Sequence, residues 1–192
     1  MKTTLCLVRH GETVWNKTFK IQGRIDNPLS EEGVHQAIAV GKYLKQHDPA
    51  WDAIVASPLS RTIDTAKIIA EVLEFDGPIE TDSAFIERDF GKAEGLTLSK
   101  EVYEKMFAGE FEGIEAQDVL QHRIMKAVLA VNQRHFGKRV LISTHSHVIK
   151  ALFTQIDPLV QFSTPLKNGS LNTVEIEEGV VKPIRFNENT PL

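Results

Sequence analysis

Cysteine, long apolar runs and an excess of either charge are all scarce in this 192-residue chain. The single Cys6 cannot form an intramolecular disulfide, and its place within Leu5-Cys6-Leu7-Val8 predicts a buried structural thiol. A cysteine-phosphatase loop is excluded too, because Arg9 follows Cys6 by only three residues with no glycine-rich turn between them. That apolar run is too short for a signal peptide, and no run approaches membrane-spanning length, so a cytoplasmic protein is expected. The net charge of −4 offers no general attraction to nucleic acid or an anionic membrane. Repeats, low-complexity tracts and linkers are missing as well. What remains, with 42% hydrophobic residues, suffices for one domain over residues 1–192 whose core needs neither disulfides nor metal.

Strand and helix patterns alternate along that length. Thr3 to Val8, Asp52 to Ala56, Ile79 to Thr81 and Val140 to Ser143 read as strands, and Leu171–Ile176 with Val180–Arg185 as a hairpin turned at Glu177-Glu178-Gly179. Ser30-Glu31-Glu32 caps a helix with Val34, Ala37, Ile38, Gly41 and Leu44 on one face. Further helices are predicted from about Pro58, over Ser99–Ala108, over Ala116–Arg134 and over His147–Gln155. The pattern predicts a three-layer α/β/α sandwich with a largely parallel sheet. Residues 91–117 form the one irregular insertion, with Gly95, Gly109 and Gly113 around Phe107 and Phe111. It is either a helical lid or an excursion that packs its aromatics on the core.

Arg9-His10-Gly11-Glu12-Thr13 emerges directly from the first strand. A neutral imidazole nitrogen can attack phosphorus, and a planar guanidinium can hold two phosphoryl oxygens, so the pair suits phosphoryl transfer. Such a tripeptide is weak evidence alone. Trp15-Asn16, Ile21-Gln22-Gly23, Asp26-Asn27-Pro28-Leu29, Ser57-Pro58-Leu59-Ser60-Arg61, Glu87-Arg88, Glu94-Gly95 and Ser143-Thr144-His145 follow in order. With these blocks the chain resembles the histidine phosphatase superfamily, the phosphoglycerate-mutase-like proteins. The resemblance implies the same sandwich with a small lid, and ligands bind such sheets beyond the carboxyl ends of the strands.

The resemblance and the chemistry together give each residue an expected role. His10 is the nucleophile of a phosphohistidine intermediate; Arg9, Arg61 and His145 clamp the phosphoryl oxygens, with His145 expected as an imidazolium. Glu87 is the general acid and base, chosen over Asp82, Asp89 and Glu94 by the Glu87-Arg88 match. Asn16, Gln22, Gly23 and the Ser146 N–H are further phosphate or substrate donors, and Arg88 a substrate-carboxylate ligand if the protein is a mutase. Glu94-Gly95 is expected to be structural. No cofactor or metal is called for, and the partner is a small phosphomonoester.

The chain departs from the family pattern at Ser146-His147, where small glycines commonly stand. A His145-x-His147 pair raises metal ligation, but two histidines without further ligands fit a metallohydrolase poorly. A catalytically silent phosphate-binding scaffold is another alternative, opposed by the intact set of five. Within the family, hydrolysis is expected over mutase activity: between Lys100 and Asp118, Lys100 and Lys105 stand against Glu101, Glu104, Glu110, Glu112, Glu115 and Asp118, a balance that repels a multiply anionic ligand. Neither substrate nor oligomeric state is legible.

Overall fold

The computed structural model describes residues 1–190, and of Phe107 only the backbone. Its centre is a six-stranded sheet in the order β3-β2-β4-β1-β5-β6. The strands are β1 (Thr3–Arg9), β2 (Ala53–Ala56), β3 (Ile79–Thr81), β4 (Arg139–Thr144), β5 (Leu171–Glu177) and β6 (Val180–Glu188). The first four run parallel; β5 pairs antiparallel with β1, and β6 antiparallel with β5. Alternation along the strands feeds two cores. Leu5, Leu7, Val140 and Ile142 meet α5 (Gln117–Arg134) and α6 (Ser146–Ile156), while Cys6, Val8, Ile54 and Leu141 meet α2 (Glu31–His47) and α3 (Ser60–Leu73). This is the expected sandwich.

Most elements lie where the periodicity puts them, and their differences have local causes. Ser30 caps α2 by accepting from Gly33 N at 3.1 Å. Its buried stripe runs Ala37, Val40, Gly41 and Leu44, turned slightly from the expected face, so that Val34 and Ile38 are only half-buried. Gly41 is needed there, because a Cβ would lie 2.7 Å from Val72 Cβ of α3. Pro58 stands before α3, which begins at Ser60. The hairpin turns at Glu178-Gly179, both with positive φ (51° and 78°), as a tight right-twisting connection requires. β6 continues beyond Arg185 to Glu188 despite Pro183, which a sheet edge tolerates because its missing N–H faces outward. The four-residue helix α1 (Val14–Lys17), capped by Thr13, has no counterpart in the sequence reading; it is too short to show a period.

The insertion holds a 3₁₀ turn at Gly91–Ala93 and α4 (Lys100–Phe107). Val102, Met106, Phe111 and Ile114 pack on Ile21, Phe90 and Ala93, a small core apart from the two main ones. Among the described residues no helix is long and apolar enough to cross a membrane.

Candidate active site

Three adjacent strands, β2, β4 and β1, end at one edge, and their hydrogen-bond ladder runs on into the loops. His10 N–H donates to Thr144 O at 2.9 Å, and Ser57 N–H to Ser143 O at 3.0 Å. This continuation holds His10, Ser57 and His145 at one level; the two imidazole centroids lie 5.3 Å apart. Arg61 enters from the first turn of α3, and Glu87 and Arg88 from the loop after the 3₁₀ turn Ser83–Phe85. His10, Arg61, Glu87, Arg88 and His145 are buried and Arg9 is half-buried.

Hydrogen bonds fix both imidazoles. His10 Nδ1 lies 2.7 Å from Gly11 O; a carbonyl only accepts, so Nδ1 carries the proton and Nε2 keeps its lone pair. Gly11 is held by its N–H donating to Thr65 Oγ1 at 3.1 Å and by contact with Gly33, whose O would lie 2.2 Å from any Cβ on Gly11. His145 Nε2 is 2.7 Å from Ser57 Oγ. With the Ser57 hydroxyl donating to it, Nδ1 bears the hydrogen, and Nδ1 is buried without a protein partner. Arg9 Nε and Arg61 Nε are buried and unpartnered as well. Arg61 is braced by Nη1 and Nη2 donating to Ile25 O and Gly23 O at 3.0 and 2.7 Å, and Arg9 by Nη1 donating to Leu166 O. Three buried donors around His10 without a protein acceptor form a donor set for an oxyanion.

Electrostatics follow from this crowding. Burial, then Arg61 and Arg9, push the His10 pKa well below the ordinary histidine value, so it stands neutral. The same holds for His145, driven by burial, Arg61, His10 and Arg9. The expected imidazolium at 145 is thus a neutral N–H donor here. Burial lowers Arg9 to about 10, still cationic at neutral pH. Burial raises the Glu87 carboxyl above its ordinary value, against the Arg88 and His147 N–H donors, Arg61 and Arg9. Asp82 and Asp89, the alternative acids, are committed elsewhere: Asp82 accepts from Ala84 N and Arg134, and Asp89 from Gly91 N. Glu94 is structural as expected, accepting from Arg24, Ile25 and Phe90 N–H.

These side chains open on a cavity of about 380 Å³. Arg9, His10, Lys20, Arg61, Glu87, Arg88 and His147 line it together with the largely apolar Phe19, Leu98, Tyr103 and Met106. Asn16, Gln22, Gly23 and Ser146 line it too. Asn16 Oδ1 accepts from Thr13 N at 3.2 Å and Asn168 Nδ2 at 3.3 Å, which leaves its Nδ2 for a ligand. Gln22 Oε1 accepts from Thr13 Oγ1 at 2.8 Å, leaving its amide nitrogen likewise. Gly23 accepts from Arg61 through its carbonyl, and at its φ of 53° a Cβ would lie 1.8 Å from Glu94 Oε1, so only glycine fits.

Three contributors went unassigned in the sequence reading. Ser57 and Thr65 belong to the motif that runs from Ser57 through Arg61 to Thr65-Ala66 but carried no role; Asn168, which donates to His10 O at 3.0 Å, gave no signal, since only the fold brings it to β1. The acidic excess of the insertion does not face the cavity: Lys100–Glu104, Lys105–Glu101 and Lys92–Glu112 pair on the solvent side. The repulsion argument against an anionic ligand therefore fails. No group of three metal-ligating side chains converges among the described residues.

The description of the histidine phosphatase superfamily (branch 1) matches residues 5–189, and the chain belongs to that family. It is 41% identical to the uncharacterized phosphatase PhoE of Bacillus subtilis strain 168, over 99% of this chain and 97% of that one. It is 34% identical to a metal-independent phosphoserine phosphatase of Arabidopsis thaliana, over 92% and 77%. A phosphoserine phosphatase mutant from Entamoeba histolytica, solved with phosphoserine, superposes with a TM-score of 0.82 at 27% identity, over 96% of both chains.

Proposed function

We propose that this protein is a metal-independent phosphomonoester hydrolase that acts on a small phosphorylated metabolite through a phosphohistidine. The observation that carries this reading is the tautomer of His10, its Nδ1 proton committed to Gly11 O, beside three buried donors without a protein acceptor. His10 Nε2 attacks phosphorus in line with the ester oxygen, forming the P–N bond as the P–O bond breaks. Arg9, Arg61 and His145 Nδ1–H hold the equatorial oxygens, helped by Asn16, Gln22 and the Ser146 N–H. Glu87, whose carboxyl burial holds above its ordinary value, gives its proton to the leaving alkoxide. As a carboxylate it then takes a proton from the water that attacks the phosphohistidine, releasing inorganic phosphate and regenerating both residues. Cationic side chains supply the charge stabilisation, so no step calls for a metal.

The chain works as one unit over residues 1–192, with 91–117 as the lid and the cytoplasm as its compartment. Phosphoserine, named for two relatives, belongs among the first substrates to try. Phosphoglycerate mutase is the second reading, favoured by Arg88 in the cavity wall. Lys20, which also lines the cavity, is a second cation that could hold the further anionic group a mutase must retain, so the choice between the two readings rests on the fate of the phosphoryl group.

The test is phosphate release from p-nitrophenyl phosphate with a chelator present, and trapping of an acid-labile phosphoryl label on the protein. Both are expected in the wild type and lost in His10→Ala, and vanadate inhibits. Activity abolished by the chelator and restored by zinc or magnesium would overturn the proposal. So would isomerisation of 3-phosphoglycerate, primed by bisphosphoglycerate, outpacing hydrolysis of every monoester.

A further inference from the structure

The cavity wall carries an imidazole that this chemistry does not use. His147 sits in the first turn of α6, its ring between Phe90 and Phe162 at centroid distances of 4.9 and 5.8 Å. The two rings hold its plane, edge-on to Phe90 at 84° and tilted 31° from Phe162. It is half-buried and faces the same cavity as His10 and Glu87. A slot between two phenylalanines is one that an apolar side chain fills at least cost. Here it holds a ring with two polar nitrogens, neither of which is a buried unpartnered atom, so the ring is open to the cavity it lines. His10 Nδ1 and His145 Nε2, by contrast, both have protein partners.

The backbone locates this ring relative to the reaction. His147 N–H points to Glu87 Oε2 at 3.4 Å, which places the residue beside the carboxyl that serves the leaving oxygen. The phosphoryl end, with Arg9 and Arg61, is already supplied with donors. Burial, and then Lys150, Arg88 and Arg9, hold the ring in its neutral form. A neutral imidazole can donate through one nitrogen or accept through the other, and a hydroxyl group, both donor and acceptor, can pair with either.

We propose that His147 determines specificity by hydrogen-bonding a hydroxyl on the alcohol part of the substrate, so that polyol monoesters are preferred to alkyl monoesters of equal length. The inference rests on the hydrolase reading of the same site. Its test compares kcat/KM for glycerol 1-phosphate and n-propyl phosphate, which share a primary ester on a three-carbon chain, in the wild type and three variants. The wild type is expected to prefer the glycerol ester by about tenfold or more, the scale on which a site built to pair a hydroxyl rejects its deoxy analogue. His147→Ala and His147→Phe bring the ratio towards one, while His147→Asn, which keeps a neutral donor and acceptor, restores part of it. The phenylalanine variant keeps the slot filled, and a ratio taken within one variant cancels any general loss of active protein. A ratio near one in the wild type, or one unchanged in His147→Phe, would overturn the inference while leaving hydrolysis in place. Absence of turnover with every monoester would instead overturn the hydrolase reading, and this inference with it.

Discussion

Glu87→Gln separates proton transfer from phosphoryl binding at a single atom. The glutamine keeps the size of the side chain, and its carbonyl oxygen can still accept from Arg88 N, the shorter of the two contacts at 2.8 Å. The amide nitrogen then faces His147 N–H, where the wild type has an acceptor at 3.4 Å, so only the weaker hydrogen bond is lost. The variant is therefore expected to fold and to bind vanadate. Its deficit is in proton donation, worth about 10²–10⁴-fold in rate where the leaving group needs it. Alkyl phosphates are expected to slow by about that factor, while p-nitrophenyl phosphate, whose anion leaves unaided, slows at the phosphorylation step by less than about tenfold. Burst kinetics across a series of leaving groups gives the phosphorylation rates directly. Because burial raises the Glu87 pKa, the wild-type rate with alkyl esters falls as pH rises through that value, and the variant lacks this limb. Equal slowing of all esters at the phosphorylation step would refute the assignment. The acid would then lie elsewhere, although Asp82 and Asp89 are already held by other partners.

Two more outcomes follow from the same geometry. Ser57→Ala leaves the buried His145 Nε2 without its donor and frees the ring to change tautomer; with about 1–3 kcal/mol at stake, kcat/KM should fall by about tenfold to a hundredfold, and Ser57→Thr should recover most of it. An alanine variant with wild-type kinetics would dismiss the positioning role. Stability should fall as pH drops below the ordinary histidine value of 6.5, because His10, His145 and His147 all have depressed pKa values and the unfolded chain takes up their protons first. Each such group contributes at most about 1.4 kcal/mol per pH unit, and the raised Glu87 pKa offsets part of it, so the net fall is read from urea unfolding between pH 7 and about pH 5. A flat profile over that range would show the imidazoles to be solvated in the native state.

The sequence alone determined what is local. Strand alternation and helical periodicity put β1, β4 and α5 within a residue or two of their observed ends, since burying one face is decided by spacing. The motif order singled out Arg9, His10, Arg61, Glu87 and His145, all of which line or underlie one cavity. What depends on non-local contact was decided only by the tertiary structure. The insertion of β4 between β1 and β2 makes three loops neighbours, and no local pattern encodes strand order. Asn168 reaches the backbone of His10 across 158 positions of chain, and Ser57 reaches His145 across 88. The lowered pKa at 145 comes from burial beside two guanidinium groups, a property of the enclosing volume rather than of the residue. Solvent claimed the charges of α4 and left Tyr103 and Met106 to the cavity, because composition fixes how many charges a helix carries and packing fixes where they point.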